Sequence, residues 1–116
     1  MNASVLTIGQ IRAGNVCIMT LAGRIDSTNA NDVQGELTRL FGSGEKSVVL
    51  DLGAVLYLTS AAFRVLLVAS DEAERNAAKL VLCSVAGHVR DLFEMGGLTE
   101  VFTIHNSRDD ALKQFA

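Results

Sequence analysis

The stretch from Ser47 to Ala69, SVVLDLGAVLYLTSAAFRVLLVA, limits the folds open to this chain more than any other. Val48, Val49 and Leu50 form an unbroken apolar run. Asp51 and Gly53 interrupt it, and Val55, Leu56, Tyr57 and Leu58 resume it before the hydroxyl pair Thr59 and Ser60. From Phe63 the period changes. Phe63, Leu66, Leu67 and Ser70/Ala73 recur at spacings of three and four, the mark of one helix face. The stretch therefore reads as a buried strand, a short elbow and a helix running from about Ser60 to Asn76. Thr59 or Ser60 stands where an N-cap belongs, with a side-chain oxygen able to accept from a backbone N–H of the first turn.

Around this centre the chain falls into alternating strands and helices. Leu6 to Arg12 and Val16 to Leu21, separated by the turn residues Ala13, Gly14 and Asn15, predict a hairpin. Ala30, Val33, Leu37, Leu40 and Phe41 share one helical face, with Asp26 or Ser27 able to cap its start. Strand, helix, strand with short links predicts a parallel pair joined by a right-handed crossover. Both strands of such a unit end on one edge of the sheet, so the Asp26 loop and the Thr59/Ser60 elbow are expected to be neighbours at the edge where open α/β sheets place function.

A strand at Lys79 to Val85 follows, then a short helix with Val89, Leu92 and Phe93 inward, and Gly96 and Gly97 as left-handed stops. A last strand fits Phe102 to His105. Ser107 and Asp110 resemble a capping box opening a terminal helix that turns Ala111, Leu112 and Phe115 inward. On the second helix, Asp71 and Arg75 have the spacing of an exposed ion pair.

Length and charge bound the function. The 116 residues make one domain, 1–116, able to bury roughly 65% of the surface that the unfolded chain exposes. No apolar run approaches the roughly 18 residues of a spanning helix, and the start, MNASVLTIGQIRAGN, lacks the basic and apolar blocks of a secretory leader. A cytoplasmic protein without membrane insertion is expected. The net charge is −3 and the ten Lys and Arg residues are scattered, which argues against a nucleic-acid binder.

Cys17 and Cys83 sit in apolar segments far from any CxxC spacing, so buried free thiols are expected rather than a metal site or disulfide. His88 and His105 are solitary, and no HExxH, GxSxG or phosphate-binding glycine loop is present. No enzyme, cofactor or metal is expected. Ser60 alone carries two readings: a helix cap worth about 1 kcal/mol, or an exposed modification site where phosphate would add about −1.5 to −2 charges.

The segment GRID at Gly23 to Asp26, the run VVLDLGAVLYLTSAAFRVLL at Val48 to Leu67 and the later LVLCSVAGHVRDLFEMGGLTEVFTI together resemble a STAS domain, and in particular the bacterial anti-sigma factor antagonists. The resemblance covers nearly the whole chain. It implies a compact α/β domain, a small mixed sheet with about four helices packed mainly on one face. In that family a loop Asp matches Asp26, and the motif Asp-Ser-Ser-Gly-Leu carries a Ser, matching Ser60, that is phosphorylated by the partner anti-sigma factor, itself a serine kinase.

Here Thr59 replaces the family's Asp, Ala61 its second Ser, Ala62 its Gly and Phe63 its Leu, so Thr59 is the alternative target. The resemblance implies a non-enzymatic partner switch using Asp26, Ser27, Leu58, Thr59, Ser60, Phe63 and Arg64. A constitutive accessory subunit of a transporter or other signalling complex is the alternative, and a small-molecule or nucleotide sensor the third. A homodimer is left open.

Overall fold

Alternation and turn chemistry start the sheet. Thr7–Ala13 (β1) and Val16–Ile25 (β2) form an antiparallel hairpin, with Gly14 at φ +63° in the turn. The structure, a computed structural model, describes residues 6–115. The first five residues of the stretch read for a leader lie outside the described residues. β2 runs past the expected Leu21 to Ile25, by way of two irregularities in its pairing with the next strand, between Thr20 and Ala22 and between Gly23 and Arg24. Such bulges let a strand bend and continue where a regular ladder would stop.

Ala30–Gly42 (α1) crosses over to Ser47–Leu58 (β3), which lies parallel to β2. Ser60–Arg75 (α2) leads to Lys79–Cys83 (β4), and Gly87–Met95 (α3) to the two-residue strand Ile104–His105 (β5). Arg108–Leu112 (α4) follows, with the Ser107 hydroxyl accepting from the Asp110 N–H at 3.1 Å, as its capping sequence predicts, and a single 3-10 turn, Lys113–Phe115, comes after it. The sheet order is β1-β2-β3-β4-β5, antiparallel at the hairpin and parallel elsewhere. β4 stops at Cys83 rather than Val85, because Ser84 turns to φ +66°.

The main core lies under α1, α2 and α3, on one face of the sheet. All five apolar residues expected on the face of α1 are buried in it, and so are Leu50, Leu52, Leu58 and Phe93. α4 covers part of the other face with Ala111 over Val16, Ile18, Val49, Val81 and Cys83, so helices do pack mainly on one side. Cys17 and Cys83 are buried free thiols, and burial pushes both above the ordinary thiol range.

Three local expectations are corrected. Leu67 is 42% exposed, because the buried stripe of α2 is centred on Ala62, Val65, Leu66, Ala69 and Ala73. Small alanines, not a second leucine, let α2 approach the sheet. Of the two glycines after α3, only Gly97 is left-handed, at φ +75°. Gly96 keeps φ −86° and is needed for space, since a Cβ there would stand 3.1 Å from the Phe63 ring. Among the described residues Asp71 and Arg75 form no ion pair within 4 Å.

Candidate functional site

Two strand-to-helix crossings meet at the carboxyl edge of the sheet. Ile25 and Leu58, the last residues of β2 and β3, are register partners and each is 2% exposed. The Thr59 N–H donates to the Ile25 carbonyl at 3.1 Å, which ties the elbow to the Asp26 loop. The parallel crossover thus makes neighbours of two segments far apart in sequence.

The Asp26 loop is built from side-chain hydrogen bonds. The Asp26 carboxylate accepts from the Thr28 backbone N–H at 2.9 Å and from the Thr28 hydroxyl. Asn29, only 4% exposed, accepts from the Asp26 N–H at 2.9 Å through Oδ1 and donates to the Arg24 carbonyl at 3.0 Å through Nδ2. The Thr28 hydroxyl, then its N–H, hold the Asp26 carboxyl below its ordinary pKa. The helix therefore starts at Ala30 with Asn29 in the cap position, not at Asp26 or Ser27. Asp26 instead closes an Asx turn on itself, and Ser27 is exposed at its tip.

The elbow is finished differently. Thr59 is the N-cap residue of α2 with φ −108° and ψ 177°, yet neither expected cap bond forms. Thr59 Oγ1 points back to the Ile25 carbonyl at 3.5 Å, and its own carbonyl receives the Ala62 and Phe63 N–H groups. Ser60 is the first helical residue, exposed, and among the described residues its hydroxyl has no hydrogen-bond partner. No acidic residue stands in the first turn of α2. Arg64, one turn on, is exposed and free of ion pairs among the described residues. Phe63 is half-buried, edge-on to Phe93 with ring centres 6.2 Å apart. Leu58 lies in the core beneath and supports the elbow without offering surface to a partner.

The edge also holds a group that local patterns did not reveal. The Arg24 guanidinium lies 5.1 Å from the centre of the Tyr57 ring, and His88 stacks on Tyr57 with centroids 5.7 Å apart and planes 16° from parallel. Residues 24, 57 and 88 meet because three parallel segments end together. The roles of Thr28 and Asn29 were also missed, although Asp-x-Thr-Asn before a helix is turn-forming chemistry. Among the described residues no group of three or more His, Cys, Asp or Glu side chains could hold a metal ion, and no helix is long and apolar enough to cross a membrane.

A small mixed sheet with helices over one face, and a hydroxyl presented at the β3–α2 elbow, define a domain class. The profile of the STAS domain matches residues 10–111, and the chain belongs to that family. It is 39% identical over 98 residues, 84% of each chain, to BtrV of Bordetella bronchiseptica, named as a candidate anti-sigma factor antagonist. An anti-sigma factor antagonist from Mycobacterium paratuberculosis shares the fold with a TM-score of 0.85 at 20% identity, over 94% of this chain and 92% of that one. The Bacillus cell fate determinant SpoIIAA in its phosphorylated form shares it with a TM-score of 0.73 at 13% identity, over 97% and 100%.

Proposed function

We propose that this protein is a non-enzymatic partner switch acting as an anti-sigma factor antagonist. With Ser60 unmodified, the edge formed by the Asp26–Ser27 loop, Thr59, Ser60, Phe63 and Arg64 docks on a serine-kinase-type anti-sigma factor, and phosphorylation of Ser60 ends that contact. The observation that carries the reading is the Ser60 hydroxyl, exposed at the first turn of α2 and, among the described residues, engaged in no hydrogen bond that a kinase would have to break. The name of the Bordetella relative and the phosphorylated form of the Bacillus protein support it.

The energetics favour a switch that spares the fold. A phosphate at Ser60 faces the positive end of the α2 dipole, worth roughly 0.3 to 1 kcal/mol, meets no acid in the first turn, and has Arg64 one turn away. At a protein interface the same group must be desolvated beside the Phe63 ring and near the Asp26 carboxylate. A loss of about 3 to 4 kcal/mol there weakens a complex several hundredfold.

Phosphopeptide mass spectrometry on protein from its own cells tests this reading. Trypsin cuts after Lys46 and Arg64, which places Thr59 and Ser60 in one peptide. Phosphate on Ser60 that varies with growth condition is the expected result. Phosphate on Thr59 moves the site by one residue. Full coverage without phosphate in any condition, or equal binding of wild type and Ser60→Asp to the kinase-type partner, sinks the switch.

One observation favours a constitutive docking subunit instead. Leu56 is 69% exposed and Leu67 42%, before and after the elbow in sequence, and apolar contacts through them need no phosphate to operate. Stable co-purification with a transporter ATPase at fixed stoichiometry would mark that alternative.

A further inference from the structure

The sheet has two edges, finished in opposite ways. β5 closes one with a strand only two residues long. β1 forms the other with seven residues in unbroken register against β2, free of proline and lysine, and with Ile11 47% exposed. Shortness, proline, lysine and bulges are the usual guards of an edge, and β1 carries none of them.

The turn fixes which main-chain groups this edge presents. Gly14 and Asn15 make a two-residue hairpin loop, so Ala13 exchanges main-chain hydrogen bonds with Val16, and Ile11, Gly9 and Thr7 do the same with their partners in β2. The N–H and C=O groups of Ile8, Gln10 and Arg12 therefore point away from β2, and among the described residues nothing pairs with them. Side chains divide in the same way. Ile8, Gln10 and Arg12 face α1, where Ile8 packs on the main core, Gln10 reaches Glu36 and Arg12 reaches Glu45. Gly9, Ile11 and Ala13 lie on the other face, where Ala13 packs on the smaller core.

Between β1 and α1 runs an open cleft of about 650 Å³, lined by Ile8, Gly9, Gln10, Asp32, Gly35 and Glu36. It holds two acids and no base. Glu36 is paired with Arg39 at 2.9 Å, but the Asp32 carboxylate has no ion-pair partner among the described residues.

We infer that the occupant of this edge is a second copy of the chain, its β1 pairing antiparallel with β1 about a two-fold axis through Gln10. That register matches the whole strand, Thr7 with Ala13 at each end, and sets Gln10 opposite Gln10 and Ile8 opposite Arg12, where the outward main-chain groups can exchange bonds. On the open face the exposed Ile11 of each copy lies opposite Gly9 of the other, which has no side chain to oppose it. In the cleft, Arg12 of the second copy arrives beside Ile8, within reach of Asp32. Its guanidinium gives Nη2 to Glu45 of its own chain, and Nε and Nη1 have no partner among the described residues. The guanidinium can thus bridge two acids. Main-chain bonds supply the affinity and the charges select the register. A shift that set Arg12 opposite Arg12 would leave the start of the strand unpaired and oppose like charges. β2 runs on from Gly23 to Ile25 past its last pairing with β1 at Ala22, so this edge stops short of the crossings and the inference does not depend on the reading of Ser60.

Sedimentation equilibrium of the full-length protein from about 5 to about 500 µM is the test, and it should show monomer and dimer in exchange with a dissociation constant of roughly tens of micromolar, as a small interface gives. Gln10→Pro removes an outward N–H that the monomer does not use and should abolish the dimer. Ile11→Lys, at an exposed position, should weaken it at least about tenfold without moving the urea midpoint. Asp32→Arg should weaken it about threefold at low salt and less at high salt.

Hydrogen exchange locates the contact. In wild type the amides of Ile8, Gln10 and Arg12 should gain about tenfold protection across that concentration range, and in Ile11→Lys they should not. A protein that stays monomeric throughout overturns the inference and leaves the edge to a strand from a different protein. It is equally overturned if Ile11→Lys dimerises as well as wild type, or if the added protection falls elsewhere than on β1.

Discussion

The two crossings at the carboxyl edge have the same topology and opposite finishes. Both leave a parallel strand at a buried aliphatic residue, Ile25 or Leu58, and enter a helix within a few residues. The first is knotted by Asp26, Thr28 and Asn29, which satisfy one another and the backbone. The second is closed by main-chain bonds, with Thr59 reaching weakly backward and the Ser60 hydroxyl left to solvent. The first loop spends Asp26, Thr28 and Asn29 on its own shape and leaves Ser27 exposed at its tip, whereas the second is held by its backbone and leaves its hydroxyl unspent. Under the proposed switch, the first crossing would give the partner a contact of fixed shape and the second a hydroxyl open to modification.

The comparison breaks or sharpens under substitution. The largest effect should come from what the crossings share. Ile25→Ala and Leu58→Ala each remove a buried aliphatic side chain at the same level of the sheet, and each should cost about 3 kcal/mol in urea denaturation. A large inequality would mean that one crossing is anchored elsewhere.

Next comes the knot itself. Asn29→Ala strips partners from the Asp26 N–H and the Arg24 carbonyl and should cost about 2 kcal/mol. A change near zero would dissolve the contrast.

Acid titration of Asp26→Asn isolates the carboxylate. Its folded pKa is depressed, so the stability it contributes is present above the ordinary carboxylate value of about 3.9 and disappears as pH falls through the lower folded value. Wild type should therefore exceed the variant at neutral pH, and the gap should close below that value. A gap independent of pH would assign the effect to the Asn side chain rather than to lost charge.

The smallest effect belongs to the elbow. Thr59→Ala and Ser60→Ala should each move stability by less than about 0.5 kcal/mol, against about 1 for a working cap. A full cap-sized loss at Ser60 would show that its hydroxyl is structural after all.

The sequence made much of this arrangement legible. The change of period at Phe63 located β3 and α2, the spacing from Ala30 to Phe41 located the buried face of α1, and the short links implied the parallel pair that brings Asp26 and Ser60 to one edge. The resemblance to STAS domains supplied the proposed modification at Ser60, where spacing alone favoured a helix cap. Side-chain direction was harder to read. Thr59 has the extended backbone of a cap, so the direction of its side chain decides whether it caps or turns back, and the Asp26 carboxylate is taken up by Thr28 in the Asx turn. Leu67 faces solvent because alanines form the inner stripe of α2. The Arg24–Tyr57–His88 stack exists only once the sheet has assembled.

Past its last pairing with β4 at Asp51 and Cys83, β3 runs on to Leu58 beside β2. The elbow therefore stands on a two-stranded pedestal beyond the body of the parallel sheet. Residues displayed there can be exchanged over evolutionary time with little penalty to the rows beneath, where Val48 to Leu50 are sealed on both faces. The departures at Thr59 and Ala61 sit on this raised rim, while Ala62 is buried in the inner stripe of α2. Under the proposed switch, contacts made from this rim can change while the sheet beneath stays as it is.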